Sequence, residues 1–327
     1  MRAAAALLAL AFTGAALGAE AVTVSALRDP VVKSYRKMAK GAAVFEELHA
    51  MAPSAALRFR LWPRKADTPM ERISLALVAD SFERPIPVAA DRTFALPADP
   101  RGLQENASVR PNRKSGTLTW RAEIRTPGLP ADTRRLGDLR LECRVGMAAG
   151  LVSHYPSLFE RFLDFVLGGA AFCEQRVPPY LFFADGPLYA VTLVDGARRQ
   201  TLSMRELYAG ILEGGAPMEE LSYCDCAALL DRAYFVPLGD ARWSDDTRIE
   251  LEYMDDTAAS DANGYAALVG STKAEMRAIF GEARVLRFDR ERELWVYEIG
   301  GRGKRDEIVA LFGADERVRK ARLRLAP

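Results

Sequence analysis

Residues 270–301, GSTKAEMRAIFGEARVLRFDRERELWVYEIGG, carry a compact unit in sequence order. Thr272 and Glu275 stand in the T-x-x-E spacing of a capping box, where the Thr hydroxyl accepts from an N–H three residues on and the Glu reaches back. Met276, Ile279 and Phe280 fall on one helical stripe, and Gly281 ends it. RVLRFD and LWVYEI then flank the charged turn RERE, and EIVALF and RVRKARLRL add two more extended segments. The order predicts one helix face laid on an antiparallel sheet. In LWVYEI, Trp295, Tyr297 and Ile299 share one face of a strand, while Leu294 and Val296 share the other. One of these faces must cover the helix. The other is expected to pack on the preceding region. The sharper alternative is a protein-binding face, with Trp295 and Tyr297 as aromatic anchors and Arg322 and Arg324 as a basic rim.

Upstream, DDTAASDANG (255–264) is small and polar and reads as a linker. The unit after it, 265–327, is expected to fold alone. Residues 151–254 mix strand-like runs (YLFFA, LYAVTLV, RQTLS, RIELEYM) with helical ones (YPSLFERFLDFVLGGAAFC and MRELYAGIL). Residues 22–150 begin with a helical pattern over 29–52, in which Val31, Tyr35, Met38, Ala42, Phe45, Leu48 and Met51 recur at spacings of three and four. Gly41 is a weak point in that helix. Short alternating runs follow, among them LRFRLW, ISLALVA, TLTWRAEIRT and LGDLRLECRV, separated by turn residues. They predict an antiparallel, β-sandwich-like domain. The basic pairs and clusters, Arg134–Arg135 and Arg110, Arg113 and Lys114, read as solvated faces.

The N-terminus, MRAAAALLALAFTGAALGAEA, has the positive, apolar and small-residue regions of a secretory signal peptide with cleavage after Gly18. It carries no lipidation cysteine, and a periplasmic location without an integral membrane anchor is expected. The chain has 45 basic and 44 acidic side chains, so removal of Arg2 leaves it balanced. Zero net charge argues against a nucleic-acid partner.

An exported chain with Cys143, Cys173, Cys224 and Cys226 is expected to hold disulfides. A metal site built from C-D-C and a histidine is the rival. Cys224 and Cys226 lie too close in sequence for a relaxed bridge, so each is expected to pair with Cys143 or Cys173. No motif for a nucleophilic, zinc-hydrolase or phosphate-binding site is present. No catalytic, cofactor or metal residue is assigned. The expected role is a non-enzymatic envelope protein that binds or scaffolds another envelope protein. The alternative is an envelope hydrolase with a site around His154.

Gly270-Ser271-Thr272, Ile279-Phe280-Gly281, Trp295-x-Tyr297 and IVALFGADERV together resemble the SmpA/OmlA (BamE-like) domain. That resemblance covers about Asp261 to Leu325 and implies helices on a three-stranded sheet, in proteins of the outer-membrane barrel assembly machinery. Glu282-Ala283 replaces the family's x-Pro after the helix, and about 240 residues precede a unit that otherwise stands on a short lipoprotein. The whole chain therefore reads as multidomain α+β.

Overall fold

The computed structural model describes residues 32–151, 172–174, 180–213, 227–256, 265–288, 292–300 and 306–324. The signal peptide, His154, Cys224, Cys226, Leu325 and the stretch read as a helix over 155–171 lie outside them. The described chain is mixed α+β and mostly sheet, and every strand pairing is antiparallel.

Strand β1 (Lys33–Ser34) runs into helix α1 (Tyr35–Glu47), with Ser34 as the N-cap accepting from the Lys37 N–H. Tyr35, Met38, Gly41 and Phe45 form its buried stripe. Gly41 is a close approach rather than a defect. A Cβ there would stand 2.7 Å from the Ala149 Cβ and 3.0 Å from the Val145 carbonyl. Strands β2 (Ala56–Pro63), β3 (Leu75–Val78), β4 (Glu83–Ile86), β5 (Thr93–Phe94), β6 (Ser108–Pro111) and β7 (Leu118–Arg125) make two sheets, ordered β1-β6-β3-β4 and β5-β2-β7. Pro85 sits on the edge strand β4, where no ladder N–H is needed. The inner faces of both sheets and α1 share one core, around Phe59, Leu77, Phe94 and Trp120.

LGDLRLECRV is a helix, not a strand. Residues Leu136–Ala148 form α3, which follows the short α2 (Pro100–Gln104) and the strand β8 (Thr133–Arg135). Leu136, Leu139 and Cys143 enter one core, while Leu141 and Val145 enter the other. A helix buried on two sides carries two apolar stripes, and interleaved they imitate the period of a strand. β8 is the edge of a second sheet, ordered β11-β10-β13-β8, with β10 (Leu188–Asp195), β11 (Arg198–Thr201) and β13 (Arg248–Tyr253). The expected boundary at 150 is therefore crossed by both β8 and α3. β9 (Phe182–Phe183) and β12 (Ala233–Tyr234) form a small ribbon.

MRELYAGIL is not a regular helix either. Tyr208, Ala209 and Gly210 all have positive φ (51°, 56° and 71°), which winds the chain in the left-handed sense. Such a conformation is costly for a tyrosine. Tyr208 is held there by donating to the Leu188 carbonyl at 2.6 Å and by packing on Phe288.

The C-terminal unit has the capping box as read, with Thr272 and Glu275 exchanging hydrogen bonds at the start of α4 (Lys273–Phe280). Its sheet is a meander of four strands rather than three: β14 (Arg284–Phe288), β15 (Arg292–Ile299), β16 (Asp306–Phe312) and β17 (Val318–Arg324). Met276 is the anchor of α4, and Phe280 assists, but Ile279 is 60% exposed. The opposite face of the sheet, with Leu286, Leu294, Val296, Val309 and Leu311, joins the core of the middle region, as expected for the spare face.

Candidate functional site

The second face of the β5-β2-β7 sheet is where charge is concentrated. Along β2, Leu57, Phe59 and Leu61 point to the core, so Arg58, Arg60 and Trp62 share the other face. Along β7, Leu118, Trp120, Ala122 and Ile124 do the same, leaving Thr119, Arg121, Glu123 and Arg125. The register sets Arg60 directly opposite Arg121, an unfavourable cross-strand pair. This face is not solvated. Residues 180–185 and the turn Ala227–Arg232 lie over it, with Trp62, Phe183, Leu229 and Ala233 in a small apolar cluster.

Most of the charges find partners. The Arg60 guanidinium lies on Trp62, 4.2 Å from the ring centre, and pairs with Asp185 and, at 3.5 Å, with Glu123. Arg125 bridges Glu123 at 2.5 Å and Asp185 at 3.0 Å. Burial opposes ionisation of Asp185, but the charges and hydrogen bonds of Arg125 and Arg60 outweigh it and hold the carboxyl below its usual range. Arg232 pairs with its neighbour Asp231 and donates to the Asp185 carbonyl.

Helix α3 closes the open edge of β7. Asp138 and Glu142 are four residues apart and so lie on one helix face. Glu142 accepts from the Ile124 N–H at 2.7 Å, and Asp138 from the Thr126 N–H at 2.7 Å. Glu142 also pairs with Arg134, which donates to the Ile124 carbonyl at 2.8 Å. Burial pushes the Glu142 carboxyl up, to about 7, against the pull of Arg134. Arg134 is 3% exposed, so the expectation of a solvated basic pair fails there. Arg135 is tied to Asp246 at 2.7 Å and to the Met51 carbonyl. Arg113 likewise staples its loop, donating to the Pro69 carbonyl at 2.8 Å.

Arg121 differs from these. It is 8% exposed and stands over the rings of Phe183 (5.1 Å) and Tyr180 (5.7 Å). Burial opposes ionisation of the neighbouring Tyr180 hydroxyl, which stays neutral beside it. The Arg121 Nε has no acceptor, and neither does that of Arg134. Both line a cavity of about 10 Å³, with Trp62, Glu123, Glu142 and Tyr180 among its other walls.

The residues singled out from sequence lie elsewhere. Cys143 and Cys173 are bonded to each other inside the core, so the expected crossed pairing with Cys224 and Cys226 is corrected. Cys143 rides on α3 and the bridge ties that helix to residues 172–174, a local link that sequence spacing did not reveal. Trp295 and Tyr297 lie under α4, 2% and 1% exposed, with Phe280 against Tyr297 and Arg277 over Trp295. They are core side chains, not a presented surface. Arg322 pairs with Glu252 at 2.7 Å, and Arg324 donates to the Tyr189 carbonyl at 2.6 Å. Those two arginines line the seam with the middle region instead of a rim. The junction residues Arg60, Arg121, Arg134, Glu142 and Asp185 were missed. The signal was the repeated apolar–basic alternation of LRFRLW and TLTWRAEIR, with no way to see what would cover the basic face. Comparison with protein-family models, with curated proteins and with solved structures finds no match for the chain.

Proposed function

We propose that this chain is an exported cell-envelope protein, processed after Gly18 and resident in the periplasm, which binds or scaffolds another envelope protein and is not an enzyme. The observation that carries the reading is the Cys143–Cys173 bridge within a core. Structural disulfides persist in oxidising compartments and are rare in the cytosol. No helix among the described residues is long and apolar enough to cross a membrane. We read residues 22–150 as a β-sandwich-like domain with its helix, and residues 265–327 as a BamE-like unit with one strand more than that family's three. The capping box, the buried Trp295 and Tyr297 and the meander support that reading. A partner in the barrel assembly machinery follows from the resemblance alone.

N-terminal sequencing of the protein from a periplasmic extract should begin at Ala19. An intact Met1, or partition with detergent-extracted membrane, sinks the location. Photocrosslinking in the intact envelope, from probes on the exposed face of α4 beside Ile279, should give one stoichiometric protein adduct. Absence of any adduct from that face and from the exposed edge β4 would count against scaffolding.

A further inference from the structure

We propose that one end of the two N-terminal sheets is a docking surface for an acidic segment of a protein partner, which deepens the protein-binding reading above and rests on it. Two connections lie side by side there. Residues 64–74 lead from β2 to β3, and residues 112–117 from β6 to β7. Both open at the same end, because Pro63 pairs with Leu118 and Leu75 with Pro111. Hydrogen bonds join them. The Arg64 N–H donates to the Thr117 carbonyl at 2.8 Å, and Ser74 and Asn112 exchange bonds at 3.0 and 3.1 Å. The Asn112 amide also donates to the Arg72 carbonyl at 3.0 Å, which holds Arg72 at its positive φ of 51°. Arg113 spans the gap, donating to the carbonyls of Pro69 and Glu71.

The charge on this surface does not cancel. The first connection carries Arg64, Lys65 and Arg72 against Asp67 and Glu71. The second carries Arg113 and Lys114 and no carboxylate, and Arg110 stands on the strand that leads into it. A third connection, residues 87–92, reaches the same end because Ile86 pairs with Leu75, but its Asp91 and Arg92 balance. Four positive charges are left over, on a chain with 45 basic and 44 acidic side chains in all. Among the described residues, no carboxylate pairs with Lys65, Arg72, Arg110, Arg113 or Lys114. Arg110 meets the Ser108 hydroxyl and Arg113 meets carbonyls, while Lys65, Arg72 and Lys114 are exposed. The charges are spread over two connections rather than gathered in one cleft, which suits a chain with several acidic side chains better than a single phosphate group. The exposed large apolar side chains among the described residues, Val32, Leu103, Val269 and Ile279, lie in neither connection, so this end has no wedge to enter a bilayer. The cross-linked frame also fixes the spacing of the charges, which favours a protein partner over a fluid lipid surface.

The test is fluorescence anisotropy of a labelled peptide of Glu-Ser repeats with the full mature chain, beside a neutral peptide of Gln-Ser repeats. The acidic peptide should bind, more weakly as salt rises, and the neutral one should not. Lys65→Glu with Lys114→Glu takes the local excess to zero and should weaken binding about tenfold or more. Lys37→Glu with Lys40→Glu, on the exposed face of α1, makes the same change in total charge and should leave binding unaltered. All four sites are exposed, so both variants should melt with the wild type. Phosphatidylglycerol vesicles should not displace the peptide. Any result in which the two variants bind alike would mean attraction to total charge or to another face, and would overturn the assignment. So would absence of peptide binding at low salt, or displacement by the vesicles. A protein adduct from α4 or β4 with no peptide binding here would sink this surface and leave the scaffolding reading standing.

Discussion

Cutting the chain in the 257–264 stretch asks whether the C-terminal unit is autonomous, and the seam predicts that it is not. The unit keeps its own small core around Met276, Trp295, Tyr297, Ile308 and Phe312. On the other face of the sheet, Leu286, Leu294, Val296, Val309 and Leu311 are almost wholly buried against the middle region. At about 1.5–3 kcal/mol for each buried side chain, separation removes about 8–15 kcal/mol of apolar burial. A single core of this length supplies no more than about 3–5 kcal/mol. Polar contacts are lost as well: the Tyr189 hydroxyl donates to the Val309 carbonyl at 2.9 Å, Lys320 to the Tyr253 carbonyl at 2.6 Å, and Arg284 to the Leu212 carbonyl at 2.7 Å. Residues 265–327 expressed alone should therefore be unfolded or self-associated, by circular dichroism and light scattering, and should bind a hydrophobic dye if folded. In the full chain, Leu294→Ala should cost about 2–5 kcal/mol, read as one earlier cooperative transition. A dye-silent monomer of the fragment that melts cooperatively would refute the reasoning.

Peptide mapping without reduction should link Cys143 to Cys173. For their separation of 30 residues, loss of the bridge in a Cys143→Ser, Cys173→Ser double variant should cost about 3.5 kcal/mol on the chain-entropy scale. Gly41→Ala should destabilise by about 1–3 kcal/mol through overpacking, although alanine is the better helix former, and a stabilised variant would contradict the contact with α3. The pH profile should bend on both sides. The Asp185 carboxyl is depressed below 3.8, so its contribution is complete above that value and is lost as the pH falls below it; Asp185→Asn should flatten that limb. Glu142 is raised from 4.5 to about 7, so its contribution is complete below 4.5 and is lost as the pH rises through about 7. Glu142→Gln should remove that slope, and an unchanged slope in urea titrations between about pH 5 and 7 would speak against it.

Patterns set by neighbours close in sequence were legible. The stripe of α1 at Tyr35, Met38 and Phe45, the capping box of α4 and the strands around it appear where periodicity and capping put them. The errors share a cause: they depend on what arrives from far along the chain. Leu141 and Val145 look like a strand with Leu139 and Cys143 only when the second core is unknown. Arg134 looks solvated until Glu142 and Ile124 enclose it. Tyr208 enters a left-handed turn because Leu188 and Phe288 hold it, while its local sequence favours a helix. The junction site is the extreme case. Both strands displayed their basic face, but the cover comes from residues 180–185 and 227–232, and no local period announces a cover.

The pairing of β8 with β13 sets an order of events. β8 (Thr133–Arg135) finds its partner only when residues 248–250 are present, because Thr133 pairs with Glu250 and Arg135 with Arg248. A chain that crosses a membrane unfolded and N-terminus first would deliver β2, β7 and α3 well before that strand. In the interval the β8 edge would stand unpaired, and until residues 180–185 and 227–232 arrive the basic face at Arg60, Arg121 and Arg125 would be open to water and to any acidic surface nearby. Completion of the N-terminal half is thus a late step, coupled to the arrival of the middle region. A holding chaperone acting on this chain would have its longest opportunity there, and truncation before residue 248 should prolong it indefinitely.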